Sequence, residues 1–350
     1  MNPLVTVGIP VYNAEATLER ALSSILAQDY DNLEIIISDN ASVDATESIC
    51  ARIAAADPRV RYVRHPVNRG PVFNFNYVVQ QARGTYFLRM SHDDIRSPHY
   101  VSRCVQLLED NPRAVLSHSY TAAFYGDPSN VLCILTHDTL VGETNPRRRF
   151  MRALKHLPAS AVDGIFRTEM LRGKTRLMEP YLSSDIVLTH ELSLHGEFVQ
   201  VPDVLFWRSG KAVLPPPQDV LRWSSQRPSR FAPPIAVLVL NHLRSIRRSS
   251  LSVPAKLLLS SQLLAHEVRT AAVKTTFRLI TACAGERTPA WLLRRFIRLS
   301  GSNPNVRILK QAPDLPPVLH PTWRLLNHRN MDKALTLQKK LDAKLDPFNA

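Results

Sequence analysis

Apolar and polar positions follow two alternating periods through the first hundred residues. Short runs rich in β-branched residues, at 4–10, 33–38, 60–64 and 84–90, each stop at polar residues. Runs of this length and composition predict buried strands. Between them the period changes to a helical one. Residues 16–26 carry Leu18, Leu22, Ile25 and Leu26 on one face, and residues 44–56 and 72–83 predict two more helices. Strand and helix alternating at this pitch predict an α/β fold on a parallel sheet with right-handed crossovers. Further on, the pattern predicts a helix over 100–111 and strands over 114–124 and 132–136.

In such sheets ligands bind outside the carboxyl ends of the strands. The polar groups at those ends are Tyr12-Asn13, Asp39-Asn40, Asn68-Arg69-Gly70 and His92-Asp93-Asp94. Four successive strands therefore deliver polar clusters to one edge, as a single nucleotide-sized site would require. Asp39 can accept hydrogen bonds from a base or ribose, and Arg69 is suited to clamp a diphosphate. Taken alone, Asp39 also reads as an Asx turn and Arg69 as a solvated loop arginine. The adjacent carboxylates Asp93 and Asp94 repel unless a cation sits between them, and Mg²⁺ or Mn²⁺ shares oxygen ligands with phosphates. The competing reading makes Asp93 and Asp94 loop and cap residues before a helix, and it is weakened because Ser97 and Pro98 already supply an N-cap and a first-turn proline. No G-x-G-x-x-G or Walker loop occurs here, which argues against a dinucleotide site or a P-loop NTPase.

Composition adds two constraints. The 350 residues are 45% hydrophobic and include 26 Pro, 11 Gly and 4 Cys, a globular composition with room for two domains. The cysteines have no metal-ligand spacing and read as reduced, buried thiols. The first residues lack a basic segment followed by an apolar core, and no window is long and apolar enough to span a membrane. The net charge of +14 is unevenly placed: residues 1–214 hold 22 Lys/Arg against 23 Asp/Glu, and residues 215–350 hold 22 against 7. The excess lies entirely in the second segment, which bears on partners rather than fold.

Together, the blocks at 7–13, 35–44, 68–70 and 91–98 resemble the N-terminal half of the family-2 inverting glycosyltransferases of GT-A fold. The similarity covers roughly residues 3–210. It implies a nucleoside held by Pro10, Val11, Tyr12, Asp39 and Asn40, a diphosphate met by Arg69, and His92 beside it. It also implies a metal, Mn²⁺ or Mg²⁺, on Asp93 with Asp94 next to it. Ser91 stands where the family usually carries the first Asp of its DxD-type motif. Asp185 matches the family's catalytic base and Ser184 the Glu that often precedes it; a helix N-cap is the ordinary alternative for Asp185. The segment 163–167 matches the acceptor-side block, with Gly164 allowing close backbone approach.

After Trp207 a proline run at 215–217 marks a boundary, dividing the chain into a GT-A catalytic domain, 1–213, and a basic, proline-broken helical region, 214–350. Helices are expected at 235–248, 254–273, 290–299 and 331–345. The cluster Arg147-Arg148-Arg149 reads as a solvated helix face or as a contact for an anionic acceptor. The basic amphipathic stretch 291–299 suits an anionic membrane surface, or packs on the catalytic domain with its arginines solvated. No nucleic-acid recognition motif is present. The resemblance implies metal-dependent, inverting transfer of a sugar, UDP-linked in preference, to a glycan or lipid-linked hydroxyl in cell-surface polysaccharide or lipopolysaccharide synthesis. It would take place in the cytoplasm, with the basic segment holding the enzyme at the inner membrane face. The rival is a degenerate, non-catalytic nucleotide- or glycan-binding domain, favoured by Ser91 and Ser184.

Overall fold

The structure is a computed structural model that describes residues 2–136, 140–156, 159–181, 183–209, 234–284 and 306–308. The first four strands, β1 (Val5–Val11), β2 (Leu33–Asp39), β3 (Val60–Arg64) and β4 (Tyr86–Arg89), pair in parallel in the order β3-β2-β1-β4. The crossovers are α1 (Leu18–Leu26), α2 (Thr46–Ala56) and α3 (Pro71–Gln81). The register sets Val11 opposite Asp39 and Asp39 opposite Arg64, while Gly8 pairs with Arg89. The carboxyl ends therefore meet at one edge, as the alternation predicts.

Alternate strand residues feed two cores. Val5, Val7, Ile9, Ile35, Ile37 and Leu88 pack with α1, α2 and a further helix, α4 (Tyr100–Glu109). Ile36 and Phe87 face the opposite side, against Val78 and Val79 of α3. Gly8 lies where the layers are tightest, because a Cβ there would come 2.6 Å from the Phe87 ring.

The remaining strands convert a parallel sheet into a mixed one. Between β4 and α4 lies β5 (Ile95–Arg96); after α4 come β6 (Ala114–Tyr125) and β7 (Asp127–Leu135). Then follow α5 (Pro146–His156), α6 (Ala159–Val162), β8 (Ile165–Arg167), α7 (Thr168–Lys174), α8 (Ser184–Leu192) and β9 (Glu197–Ser209). Strand β8 runs antiparallel to both β4 and β6, β7 is antiparallel to β6, and β9 joins β6 in parallel and β5 antiparallel. Helix α4 begins at Tyr100, where the pattern places it, and its N-cap is His99 rather than the expected Ser97. Ser97 instead donates its N–H to the Leu205 carbonyl, continuing the β5–β9 pairing.

Two helices of the basic segment pack on this body. Helix α9 (Pro234–Arg248) and the long α10 (Val253–Ala284) share a core of Phe150, Leu194, Ile246, Leu259 and Leu263 with α5 and the segment just after α8. Strand β10 (Val306–Ile308) pairs antiparallel with β7. The helices expected at 290–299 and 331–345 lie outside the described residues. Among the described residues no helix is long and apolar enough to cross a membrane. Cys50 and Cys104 are buried free thiols, each pushed up to about 12 by burial.

Candidate active site

The loops after β1 and β2 are fastened to each other. Asn13 donates its N–H to Ser42 Oγ at 3.0 Å, and its side-chain oxygen accepts from Val43 N at 3.0 Å. Ala14 N donates to Thr46 Oγ1 at 2.8 Å. Asn13 and Ala41 both adopt left-handed backbone, at φ 49° and 62°. Non-glycine residues in that region persist where the surroundings over-determine them, and such residues cluster at functional edges. Pro10 and Val11 are buried in β1, and Tyr12 emerges beside them, 41% exposed.

Asp39 is fully buried. Its Oδ1 accepts from Ser42 N (2.9 Å) and Ser42 Oγ (2.6 Å), and its Oδ2 accepts from Tyr62 (2.8 Å), with Arg64 Nε at 3.7 Å. Three of its four or so lone-pair positions are occupied within the protein. Asn40 ties down the loop that carries Arg69. Its amide donates to Asn68 Oδ1 and the Gly70 carbonyl, and its oxygen accepts from Arg69 N at 2.9 Å. Arg69 is exposed, and its guanidinium lies 3.6 Å from the Phe73 ring centroid, a cation–π contact that keeps it at this edge.

At the end of β4 the chain makes the turn 91–94. His92 Nδ1 lies 3.0 Å from Thr17 Oγ1, joining this turn to α1. Asp93 is half-buried, and its carboxylate has no hydrogen bond or ion pair among the described residues. Asp94 behaves differently: it is 2% exposed and accepts from Ser209 N at 3.0 Å. Burial, with Asp163 nearby, pushes its carboxyl up to about 7, and the fully buried Arg96 opposes this. Arg96 stacks 3.4 Å from the Phe206 centroid and donates to the Asp163 carbonyl at 3.0 Å.

A divalent cation that shares its sphere with a diphosphate needs one or two protein carboxylates. Asp93 fits that need. Asp94 is turned inward, which departs from the expectation of two open ligands. Among the described residues no three His, Cys, Asp or Glu gather into a closed metal cage. The residues thus suit a cation completed by substrate oxygens and water.

Arg89 was not singled out from the sequence, yet it joins the halves of the site. It occupies the last position of β4, with 12% of its side chain exposed, and stacks 4.3 Å from the Phe75 centroid. Its Nε lies 3.3 Å from Asp163 Oδ1, and its Nη2 lies 3.5 Å from Asp185 Oδ2. Asp185 sits in the first turn of α8, while Ser183 takes the N-cap position at φ 66°. Asp185 is thus the second residue of the helix rather than its cap. Asp185 Oδ1 accepts from Ile186 N at 2.9 Å, and its side chain is 22% exposed. Gly164 is buried: a Cβ there would come 2.6 Å from the Ser117 carbonyl, so the close approach it permits is to β6.

One strand-end edge therefore gathers Tyr12, Asp39, Asn40, Arg69, His92 and Asp93, with Asp185 joined to it through Arg89. Residues 6–172 match the sequence profile described as Glycosyl transferase family 2. These residues form a family 2 glycosyltransferase domain.

The family 2 domain has relatives in several bacteria. An uncharacterized glycosyltransferase of Haemophilus influenzae is 36% identical over 118 residues, covering 34% of this chain and 36% of the relative. Another, of Rickettsia felis, is 35% identical over 120 residues, covering 34% of this chain and 20% of the relative. The chain thus spans about a third or less of these relatives. Among solved structures, S. aureus TarS 1–349 in complex with UDP-GlcNAc superposes with TM-score 0.60 at 16% identity, over 85% of this chain and 81% of that one. The mannosyltransferase PcManGT of Pyrobaculum calidifontis, in complex with GDP-Man and Mn²⁺, gives TM-score 0.52 at 18% identity, over 93% and 85%. At these identities the likeness establishes the fold, which is GT-A.

Proposed function

We propose that this chain is an inverting glycosyltransferase that moves a sugar from a nucleoside-diphosphate donor to a hydroxyl of a glycan or lipid-linked acceptor. A UDP-linked donor is favoured, by analogy with the UDP-GlcNAc complex of TarS. The carrying observation is Arg89, whose guanidinium lies 3.5 Å from the candidate base Asp185 and so ties α8 to the end of β4, the strand that leads into the turn 91–94. In this reading Pro10, Val11 and Tyr12 form one wall of the nucleoside pocket. Asp39 and Asn40 fix the loops around it, and Asp39 keeps a lone pair for the base or ribose. Arg69 meets the diphosphate, and His92 braces the turn that presents Asp93.

In transfer with inversion the acceptor oxygen attacks the anomeric carbon as the bond to the diphosphate breaks. Asp185, with its carboxylate at the open end of α8, takes the acceptor proton as the new C–O bond forms. Arg69 supports the charge that appears on the leaving diphosphate. A Mn²⁺ or Mg²⁺ held by Asp93, with Asp94 behind it, would supply further neutralisation of that charge when bound. Gly164 lets the acceptor-side segment 163–167 lie close to the sheet. The catalytic unit is residues 1–213. The basic region 214–350 serves as its extension and holds the enzyme at the cytoplasmic face of an anionic membrane, where lipid-linked acceptors of cell-envelope polysaccharide synthesis reside.

The rival is a nucleotide- or glycan-binding domain without turnover, favoured by Ser91 where the family usually has an aspartate. Asp185→Asn separates the two. The enzyme reading expects release of nucleotide from the donor to fall by about 10²–10⁴-fold, with nucleotide affinity unchanged. Equal release from wild type and variant would favour the binding module.

A further inference from the structure

A cavity lies between α5 and α10, on residues the donor edge does not use. It has a volume of about 330 Å³ and is lined by Arg147, Arg148, Met151 and Lys155 of α5 and by Gln262, Ala265, His266 and Arg269 of α10. That volume falls within the range of small-molecule sites. The spacings i, i+1, i+4, i+8 and i, i+3, i+4, i+7 put each set on one helical face. Four permanent cations line this cavity, and no carboxylate does.

The arrangement is electrostatically unfavourable when empty. Arg147 and Arg148 occupy the first turn of α5, which holds no acidic residue, and the helix dipole disfavours cations there. Asn145 Oδ1 already accepts from the N–H groups of Arg147 and Arg148 at 3.1 Å each. Glu143 pairs with Arg148 (3.4 Å) and with Arg152 (3.0 Å) from outside the cavity. Arg147, Lys155 and Arg269 have no ion-pair partner among the described residues. Arg149 shows how this helix treats an arginine it uses structurally. It is buried, and it donates to the carbonyls of Ser193 (2.6 Å), Glu143 (2.8 Å) and Thr144 (3.2 Å). The cavity arginines lack such contacts.

We infer that the α5–α10 cleft binds a phosphate-bearing group. Guanidinium forks pair with phosphate oxygens in two-pronged geometry, and Lys155 adds a point charge. Met151 and Ala265 give an apolar wall for the carbon skeleton of the phosphate ester. The site lies apart from the donor edge, so it does not depend on the transfer reaction proposed above. Helix α5 reaches α8 through the edge-on contact of Phe150 with His190, at 6.3 Å between centroids, so an occupant of the cleft would touch the helix that packs against α8.

The test uses the full chain and two probes: glycerol 3-phosphate by calorimetry, and phosphatidylcholine vesicles with and without phosphatidylglycerol by cosedimentation. UDP binding is measured alongside. The expected result is binding that weakens by about tenfold or more in the double variant R147Q/R269Q. The charge-matched R103Q/R113Q, at exposed arginines elsewhere, should bind as wild type does, and so should Arg69→Gln. Binding of glycerol 3-phosphate identifies a soluble phosphate ester as the source. Binding of phosphatidylglycerol vesicles alone identifies a lipid headgroup. Should R147Q/R269Q fail to fold, Lys155→Gln, at a solvent-exposed position, takes its place. Failure of wild type to bind either probe would overturn the inference. Equal binding by variant and wild type, or an equal loss in R103Q/R113Q, would do the same.

Discussion

Arg89 Nη2 lies 3.5 Å from Asp185 Oδ2, joining the last residue of β4 to the first turn of α8. The guanidinium is held from below by Phe75 and from one side by Asp163, so it is a positioned charge. The contact fixes where the Asp185 carboxylate stands, and a general base acts only within hydrogen-bond reach of the proton it takes. Arg89→Gln should therefore lower kcat by about tenfold to a hundredfold, at unchanged UDP affinity. Arg89→Lys should restore part of the loss. An unchanged kcat would assign Arg89 to the fold alone.

Arg69 and Phe73 give the second prediction. Arg69→Ala should weaken UDP binding by about tenfold while leaving uridine binding unchanged, since a charge-assisted contact to the diphosphate is lost. Phe73→Leu removes the ring 3.6 Å from the guanidinium and should cost a smaller, few-fold factor in the same direction. Calorimetry with both ligands checks this.

Gly164→Ala tests whether that glycine acts through the sheet. The added methyl would sit 2.6 Å from the Ser117 carbonyl, in backbone that cannot yield as a side chain tip would. Overpacking of this kind destabilises by about 1–3 kcal/mol. A lowered unfolding midpoint with unchanged UDP affinity is expected, and an unchanged midpoint would remove this explanation.

The contact between α8 and α9 should be acid-sensitive. His190 Nδ1 lies 2.9 Å from His242 Nε2, and both rings are buried. Burial, then the neighbouring His242, pushes His190 well below the ordinary imidazole range; burial and Arg176 push His242 down to about 4. The unfolded chain therefore takes up protons first. Stability is complete above 6.5 and is lost as pH falls toward about 4, by on the order of 1.4 kcal/mol per pH unit for each histidine. Thermal unfolding across that window should show the loss, with a shallower slope in His242→Phe.

Much of this architecture was legible because the parallel half of the sheet obeys simple rules. Buried parallel strands are continuous β-branched runs, so β1 to β4 and their crossover helices fall within a few residues of where the periodicity places them. The rest depended on long-range contacts. Strand β5 has only two residues and exists because β9, more than a hundred residues later, pairs with it. Strand β9 mixes polar and apolar positions on a half-covered face, and it gave no clear period. Arg89 and Arg96 read as ordinary charges in sequence; only the fold shows them buried against aromatic rings and carboxylates. One signal did exist: Arg89 stands between Leu88 and Met90, a charge inside an apolar run at a strand's carboxyl end. Asp93 and Asp94 look equivalent in sequence, and only the turn between β4 and β5 separates an open carboxylate from an inward one.

The most direct test of the account is a calorimetric titration of UDP, GDP and dTDP, each with and without Mn²⁺, into wild type and Asp93→Ala. The account predicts that one nucleotide, UDP in preference, binds more tightly with Mn²⁺, and that Asp93→Ala removes the metal-dependent part. Folded protein that binds none of the three would contradict the assignment of the donor edge.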